Sequence, residues 1–198
     1  MANEKQDKLF KSFEDSLQRS MLRGSYRFKE LPESELADYP AFLIGNDKPL
    51  SSKDVSTFQV SKNFLFIGTS IFRSVDFACK LAAEHQVTPK IIIIDNSRQV
   101  HITWIKLKQY FERTTETDVR EFLHDDSDGF LEFILEELSD VTRGLNPVRY
   151  FAGLFREFGV EKIRAMVLDA VIVRQDWGNE AIFRDIRQLY PDKPIVAY

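Results

Sequence analysis

Cysteine is almost missing from this chain: its 198 residues include one, Cys79. No intrachain disulfide can form, and a reducing compartment, the cytoplasm, is the simplest expectation. Val75, Ala78, Ala82 and Ala83 put Cys79 on an apolar helix face, so its expected role is buried filler. Long apolar runs are missing too. Nothing approaches the roughly 20 residues that a bilayer-spanning helix needs. The opening residues MANEKQDKLF carry charge where a secretory leader carries an apolar stretch. Neither sign of charge dominates: Lys plus Arg is 27, Asp plus Glu is 31, and the net charge is -4. General binding to nucleic acid is therefore not expected. The three histidines, His85, His101 and His124, fall on separate elements without ligand spacing, and no metal site is expected. There is no Walker phosphate loop. Ser70 is not a nucleophile elbow, because Phe72 stands where G-x-S-x-G requires glycine.

What is present is a globular composition, 43% apolar and 29% charged, long enough for one domain with a real core. The 17 phenylalanines, many at helical spacing, predict an aromatic-rich core. Residues 5–22 read as an amphipathic helix with Leu9, Phe10, Phe13, Leu17 and Met21 on one face. Residues 31–62 hold Pro32, Pro40, Gly45, Asn46 and Pro49 and read as a long irregular connection. Such a connection is uncommon unless it has a job, such as covering a site.

From residue 63 the pattern changes. "FLFIG" is a short apolar run, as in a strand buried on both faces. A helix over 71–86 follows, with Ile71, Val75, Ala78 and Ala82 in one stripe. "IIIIDN" is strong strand material. Ser97 caps a predicted helix through Val100, Trp104, Leu107 and Phe111. "VREFLHDD" reads as a third strand, and Phe130, Leu131, Ile134, Leu135 and Leu138 as a helix after it. Asn146 and Pro147 start another helix, which Gly159 ends. Residues 160–168 fit a short helix or a less regular stretch. "DAVIV" is a strand, 178–190 a helix and "KPIVAY" a last strand. The alternation predicts an α/β fold: a three-layer Rossmann-like domain over 63–198, its sheet mainly parallel, with an N-terminal helical extension and connection over 1–62.

In an open parallel sheet, ligands bind beyond the carboxyl ends of the strands, near the switch in strand order. Those ends here are Gly68, Thr69 and Ser70; Asp95, Asn96 and Ser97; His124, Asp125 and Asp126; and Arg174 to Trp177. Gly68 permits close approach of a ligand to the backbone, next to the N–H groups that open a helix. A carboxylate at Asp95 can accept hydrogen bonds from the two hydroxyls of a ribose.

In these strand ends the chain resembles the Rossmann-like S-adenosylmethionine-dependent methyltransferases. "FLFIGTS" is similar to their first strand and glycine loop, "IIIIDNS" to the second strand with its terminal acid, "FLHDD" to the third and "DAVIV" to the fourth. The resemblance covers 63–198 in element order. It implies S-adenosylmethionine as cofactor. Gly68, Thr69 and Ser70 would line its methionine moiety. Asp95 with Asn96 would meet the ribose, and Asp125 or Asp126 the adenine. Asp176, after the fourth strand, is the candidate general base for transfer to an unknown acceptor.

The chain departs from that family in having one loop glycine, with Ser70 and Phe72 at the positions of others. Phe72 would block the cofactor if it pointed into the loop. Gly68 and Asp95 also stand further apart than the roughly 20 residues of dinucleotide sites. These departures favour the alternative: a non-catalytic Rossmann-like interaction or regulatory protein that has lost its cofactor and meets a protein partner. "HDDSDG" resembles a calcium loop, but His124 takes the place of the first acid, so a solvated acidic turn is the plainer expectation. The tail from "DAVIV" resembles the closing half of a response-regulator receiver domain. Arg174 stands near the place of its phosphoacceptor aspartate, which excludes that activity. Trp177 would either stack on a planar ligand or cover the sheet edge.

Overall fold

A computed structural model describes residues 28–37, 44, 50–60, 64–113 and 147–198. The helix predicted over 5–22, the strand at "VREFLHDD" and the helix through Phe130 and Leu138 lie outside the described residues. Two apolar runs form the middle of the sheet. Strand β1, Leu65–Gly68, is buried along its whole length. Strand β2, Lys90–Asp95, buries all four isoleucines. They pair in parallel, Phe66 opposite Ile91 and Gly68 opposite Ile93. Strand β3, Val171–Arg174, pairs in parallel with β2, with Arg174 opposite Asp95. Strand β4, Ile195–Ala197, pairs in parallel with β1. The order across the sheet is β3-β2-β1-β4.

That order corrects one expectation. "DAVIV" lies beside β2, where the doubly wound order 3-2-1-4 has its third strand, and the final strand takes the fourth place beside β1. Alternation in sequence announces that a strand exists. It carries no label for the neighbour, which backbone pairing chooses.

Six helices are described, beginning with the single turn α1, Ser52–Ser56. Between β1 and β2 runs α2, Phe72–His85, which stops where Gln86 turns left-handed at φ 53°. Between β2 and β3 come α3, Arg98–Arg113, then α4, Pro147–Phe158, and α5, Val160–Asp169. The ambiguous stretch after 159 is thus a helix. Gly159 separates α4 from α5 with φ +85°, a backbone state that side chains other than glycine's rarely tolerate. Between β3 and β4 runs α6, Glu180–Leu189, capped by Asn179, whose side chain accepts the Ala181 N–H.

The two-residue period of the strands sorts the core into layers. Phe64, Phe66, Ile91 and Ile93 face α2 to α5. Leu65, Ile67, Ile92, Ile94 and Val173 face the other way, against Ile182 and Ile186 of α6. The chain moves one way across the sheet from β1 to β3 and turns back to reach β4. A right-handed crossover then falls on the opposite face, which is where α6 packs. Burying a Leu, Ile or Phe side chain stabilises by roughly 1.5–3 kcal/mol, so the central strands anchor both layers.

The first layer is aromatic, as the phenylalanine count predicts. Phe72 stacks on Phe151 at 4.3 Å, and Phe111 meets Phe155 edge-on at 5.9 Å. Ile44 and Val55, from the irregular connection, join this same core. No described helix is long and apolar enough to cross a membrane.

Candidate functional site

Because all four described strands are parallel, their carboxyl ends lie along one edge of the sheet. Gly68 closes β1 there. A Cβ on it would stand 2.5 Å from Ser74 Oγ and 3.0 Å from Phe66. The missing side chain therefore makes room for the chain's own first helical turn. Thr69 and Ser70 follow, both half-buried. Ser70 Oγ lies 3.5 Å from Ser74 Oγ, and the Ser70 carbonyl accepts Trp104 Nε1–H at 3.4 Å. No side chain caps the start of α2 at Ile71. Phe72 is fully buried against Phe151, so it points into the core and away from the loop.

Asp95 ends β2. Its Oδ1 accepts the Ser97 N–H at 2.7 Å, so the carboxylate turns back toward the start of α3. Burial pushes its carboxyl up to about 6, against the opposing pull of the Ser97 and Asn96 N–H groups. The Asp95 carbonyl is also in use. It accepts His101 Nε2–H at 2.7 Å and the Gln175 N–H at 3.1 Å. A carbonyl can only accept, so His101 carries its proton on Nε2. Its buried Nδ1 then has no hydrogen-bond partner among the described residues. Burial, helped by the positive charge of Arg174 and opposed by the hydrogen bond to the Asp95 carbonyl, holds the His101 imidazole down to about 4.

Asn96 Nδ2 donates to Asp176 Oδ2 at 3.3 Å. Asp176 is exposed beyond the end of β3, and its Oδ1 accepts the Gly178 N–H at 2.6 Å. Trp177 packs edge-on against Phe183 at 5.4 Å and joins the core under α6, so it covers the sheet.

Segment 28–37 crosses this edge. Leu31 N–H donates to the Arg174 carbonyl at 2.7 Å, and Gln175 Nε2 to the Lys29 carbonyl at 2.9 Å. Further along, Ala37 N–H donates to the Asn96 carbonyl at 2.8 Å, and Arg98 N–H returns to the Ala37 carbonyl at 3.0 Å. The Glu30 carboxylate accepts from Arg174 Nη2 at 3.0 Å, from its Nε at 3.2 Å and from its backbone N–H at 3.2 Å.

The structure thus gathers Gly68, Thr69, Ser70, Asp95, Asn96 and Asp176 at one sheet edge. Asp125 and Asp126 lie outside the described residues. With "DAVIV" beside β2, the residues that follow the neighbour of β2 are Gln175 and Asp176. Asp176 therefore stands on the Asp95 side of the edge, away from the β1 and β4 end. Sequence reading placed Arg174 at a strand end but missed its partner Glu30, and it gave His101 no role at the site. His101 sits one turn into a predicted helix and reads as one more polar position. Glu30 and Arg174 are 144 residues apart, and no periodicity links them.

A second polar group lies inside the helical layer. Asp76 on α2 pairs with Lys80 at 3.0 Å and Arg73 at 3.5 Å, and it accepts Tyr150 O–H at 2.6 Å. Burial, then the Asp76 hydrogen bond, raises the Tyr150 phenol. Arg73 Nε and Lys80 Nζ donate to the carbonyls of Ile44 and Leu50 at 3.0 and 3.1 Å. These side chains tie the irregular connection to α2. Cys79 is buried beside Met166, and burial pushes its thiol up to about 12, so it is no nucleophile.

No family model, no curated protein and no solved structure matches this chain. The fold and the edge define it as an α/β protein of doubly wound, parallel-sheet class.

Proposed function

We propose that the carboxyl ends of β1 and β2 bind a nucleoside-bearing ligand, with S-adenosylmethionine the candidate and methyl transfer the candidate reaction. One observation carries this reading: the strand order reverses beside β1, which is where ligands enter sheets of this class. Two others support it. Phe72 points into the core and so does not itself obstruct the loop after Gly68. Burial perturbs the Asp95 carboxyl at a strand end, as is common where an acid serves a ligand. In this reading Thr69 and Ser70 meet the methionine moiety, and Asp95 with Asn96 the ribose. In methyl transfer the enzyme chiefly brings a nucleophile into line with the sulfonium methyl, so positioning dominates. A reducing compartment, the cytoplasm, goes with the single thiol.

The test is thermal and calorimetric titration of the full chain with S-adenosylmethionine and S-adenosylhomocysteine. Ligand at 100 times its dissociation constant should stabilise by roughly 2.7 kcal/mol. Asp95→Ala should weaken binding at least tenfold while the fold survives. Absence of any shift at millimolar ligand removes the reading.

A second reading has its own observation. Asp95, Asn96, Ser70 and Asp176 all hydrogen-bond to the chain itself, and segment 28–37 covers the ends of β2 and β3. A non-catalytic interaction protein that has lost its cofactor would show this edge. Titration without binding favours it.

A further inference from the structure

Segment 28–37 forms no strand, yet it is fastened to two strand ends. One fastening is at Arg174 and Gln175, the other at Asn96 and Arg98. Between them lies the single turn Glu33–Glu35, which buries no side chain. Leu36 just past that turn is buried, and Phe28 packs on the core under α6, so two apolar side chains and a few hydrogen bonds hold the segment. A piece of chain held at so few points can lift without unfolding the sheet. Glu30 and Arg174 form an ion pair in one fastening, both side chains largely shielded at 12% and 19% exposed, and Arg98 Nη2 donates to the Glu33 carbonyl at 3.3 Å in the other. Three donors from Arg174 converge on that one carboxylate. Asn96, assigned above to the ribose side, has its carbonyl under the strap.

We propose that segment 28–37 is an autoinhibitory strap over the carboxyl ends of β2 and β3, latched by Glu30 on Arg174, and that ligand reaches the Asp95 side of the edge only when the strap lifts. The proposal rests on the nucleoside reading above. A ligand that binds only the lifted form has its affinity reduced by the fraction of molecules that are lifted. Weakening the latch raises that fraction and tightens binding, although no ligand contact is added.

Glu30→Gln keeps the shape and removes the charge. Amide hydrogen exchange and calorimetric titration with S-adenosylhomocysteine are measured on the full chain, wild type and variant. The Leu31 and Ala37 amides should exchange at least about tenfold faster in the variant, with the β1 amides unchanged, and affinity should tighten by a similar factor. Faster exchange with equal or weaker binding overturns the gate and leaves the ligand reading standing. Unchanged exchange overturns the latch. Faster exchange with no binding by either protein removes the ligand reading and the gate with it. Should Glu30→Gln not fold, Arg98→Gln, which loses the bond from Nη2 to the Glu33 carbonyl, loosens the other fastening and faces the same outcomes.

Discussion

Asp95 and His101 pull the stability of the fold in opposite directions as pH changes. The Asp95 carboxyl rises from its ordinary 3.8 to about 6 on folding. Its neutral form suits the folded state, so this contribution is full below pH 4 and lost as pH rises through 6. The His101 imidazole falls from 6.5 to about 4. Its contribution is full above pH 6.5 and lost as pH falls through 4. The two slopes oppose each other over the same range. Asp95→Asn keeps an acceptor for the Ser97 N–H and removes the buried charge. It should stabilise the protein by about 1–3 kcal/mol at pH 8, and the gain should vanish by pH 4. Urea unfolding at pH 8, 6 and 4 measures this. A gain independent of pH would show that charge burial is not its source. Gly68 carries a similar lesson. Its glycine was legible as a place of close approach, but the approaching atom is Ser74 Oγ of the same chain.

At the scale of elements, α2 buries Phe72 to Cys79 without a break, Arg73 and Asp76 included. A helix sunk this deeply tolerates charge only when the charge is paired. Tyr150 on α4 completes that pairing, donating to Asp76 and accepting from Arg73 Nη1 at 3.0 Å. Tyr150→Phe removes both bonds and should cost about 1–3 kcal/mol, read from urea denaturation. A loss below 0.5 kcal/mol would mean that Lys80 and Arg73 satisfy Asp76 unaided (~0.5 is the ordinary scatter of neutral surface changes). The end of α5 is fastened by lysines. Lys90 Nζ donates to the Asp169 carbonyl at 2.8 Å, and Lys108 Nζ to the carbonyls of Leu168 and Ala170. Their charge suits the negative end of a helix. Burial drives the Lys108 ammonium down to about 8.

For the whole molecule, the sheet order ranks the strands. β1 and β2 are paired on both sides and covered on both faces, whereas β4 pairs with β1 alone among the described strands. Native-state hydrogen exchange should find the slowest amides in β1 and β2, opening only with global unfolding, and faster ones in β4. Equal protection in β4 would mean that another part of the chain covers that edge.

Much of this architecture was legible in the amino-acid order. The isoleucine run and the phenylalanine-led run announced two central strands, since only a strand covered on both faces uses so unbroken an apolar run. Ser97, Pro147 and Gly159 marked helix ends, because capping and left-handed backbone are local chemistry. What lay outside local chemistry was left to the tertiary structure. It put Val171–Arg174 beside β2, turned Phe72 away from the loop, and laid Glu30 on Arg174. Periodicity reports which side of an element is apolar, and says nothing of which partner meets it. That choice belongs to packing in three dimensions, between residues the chain keeps far apart.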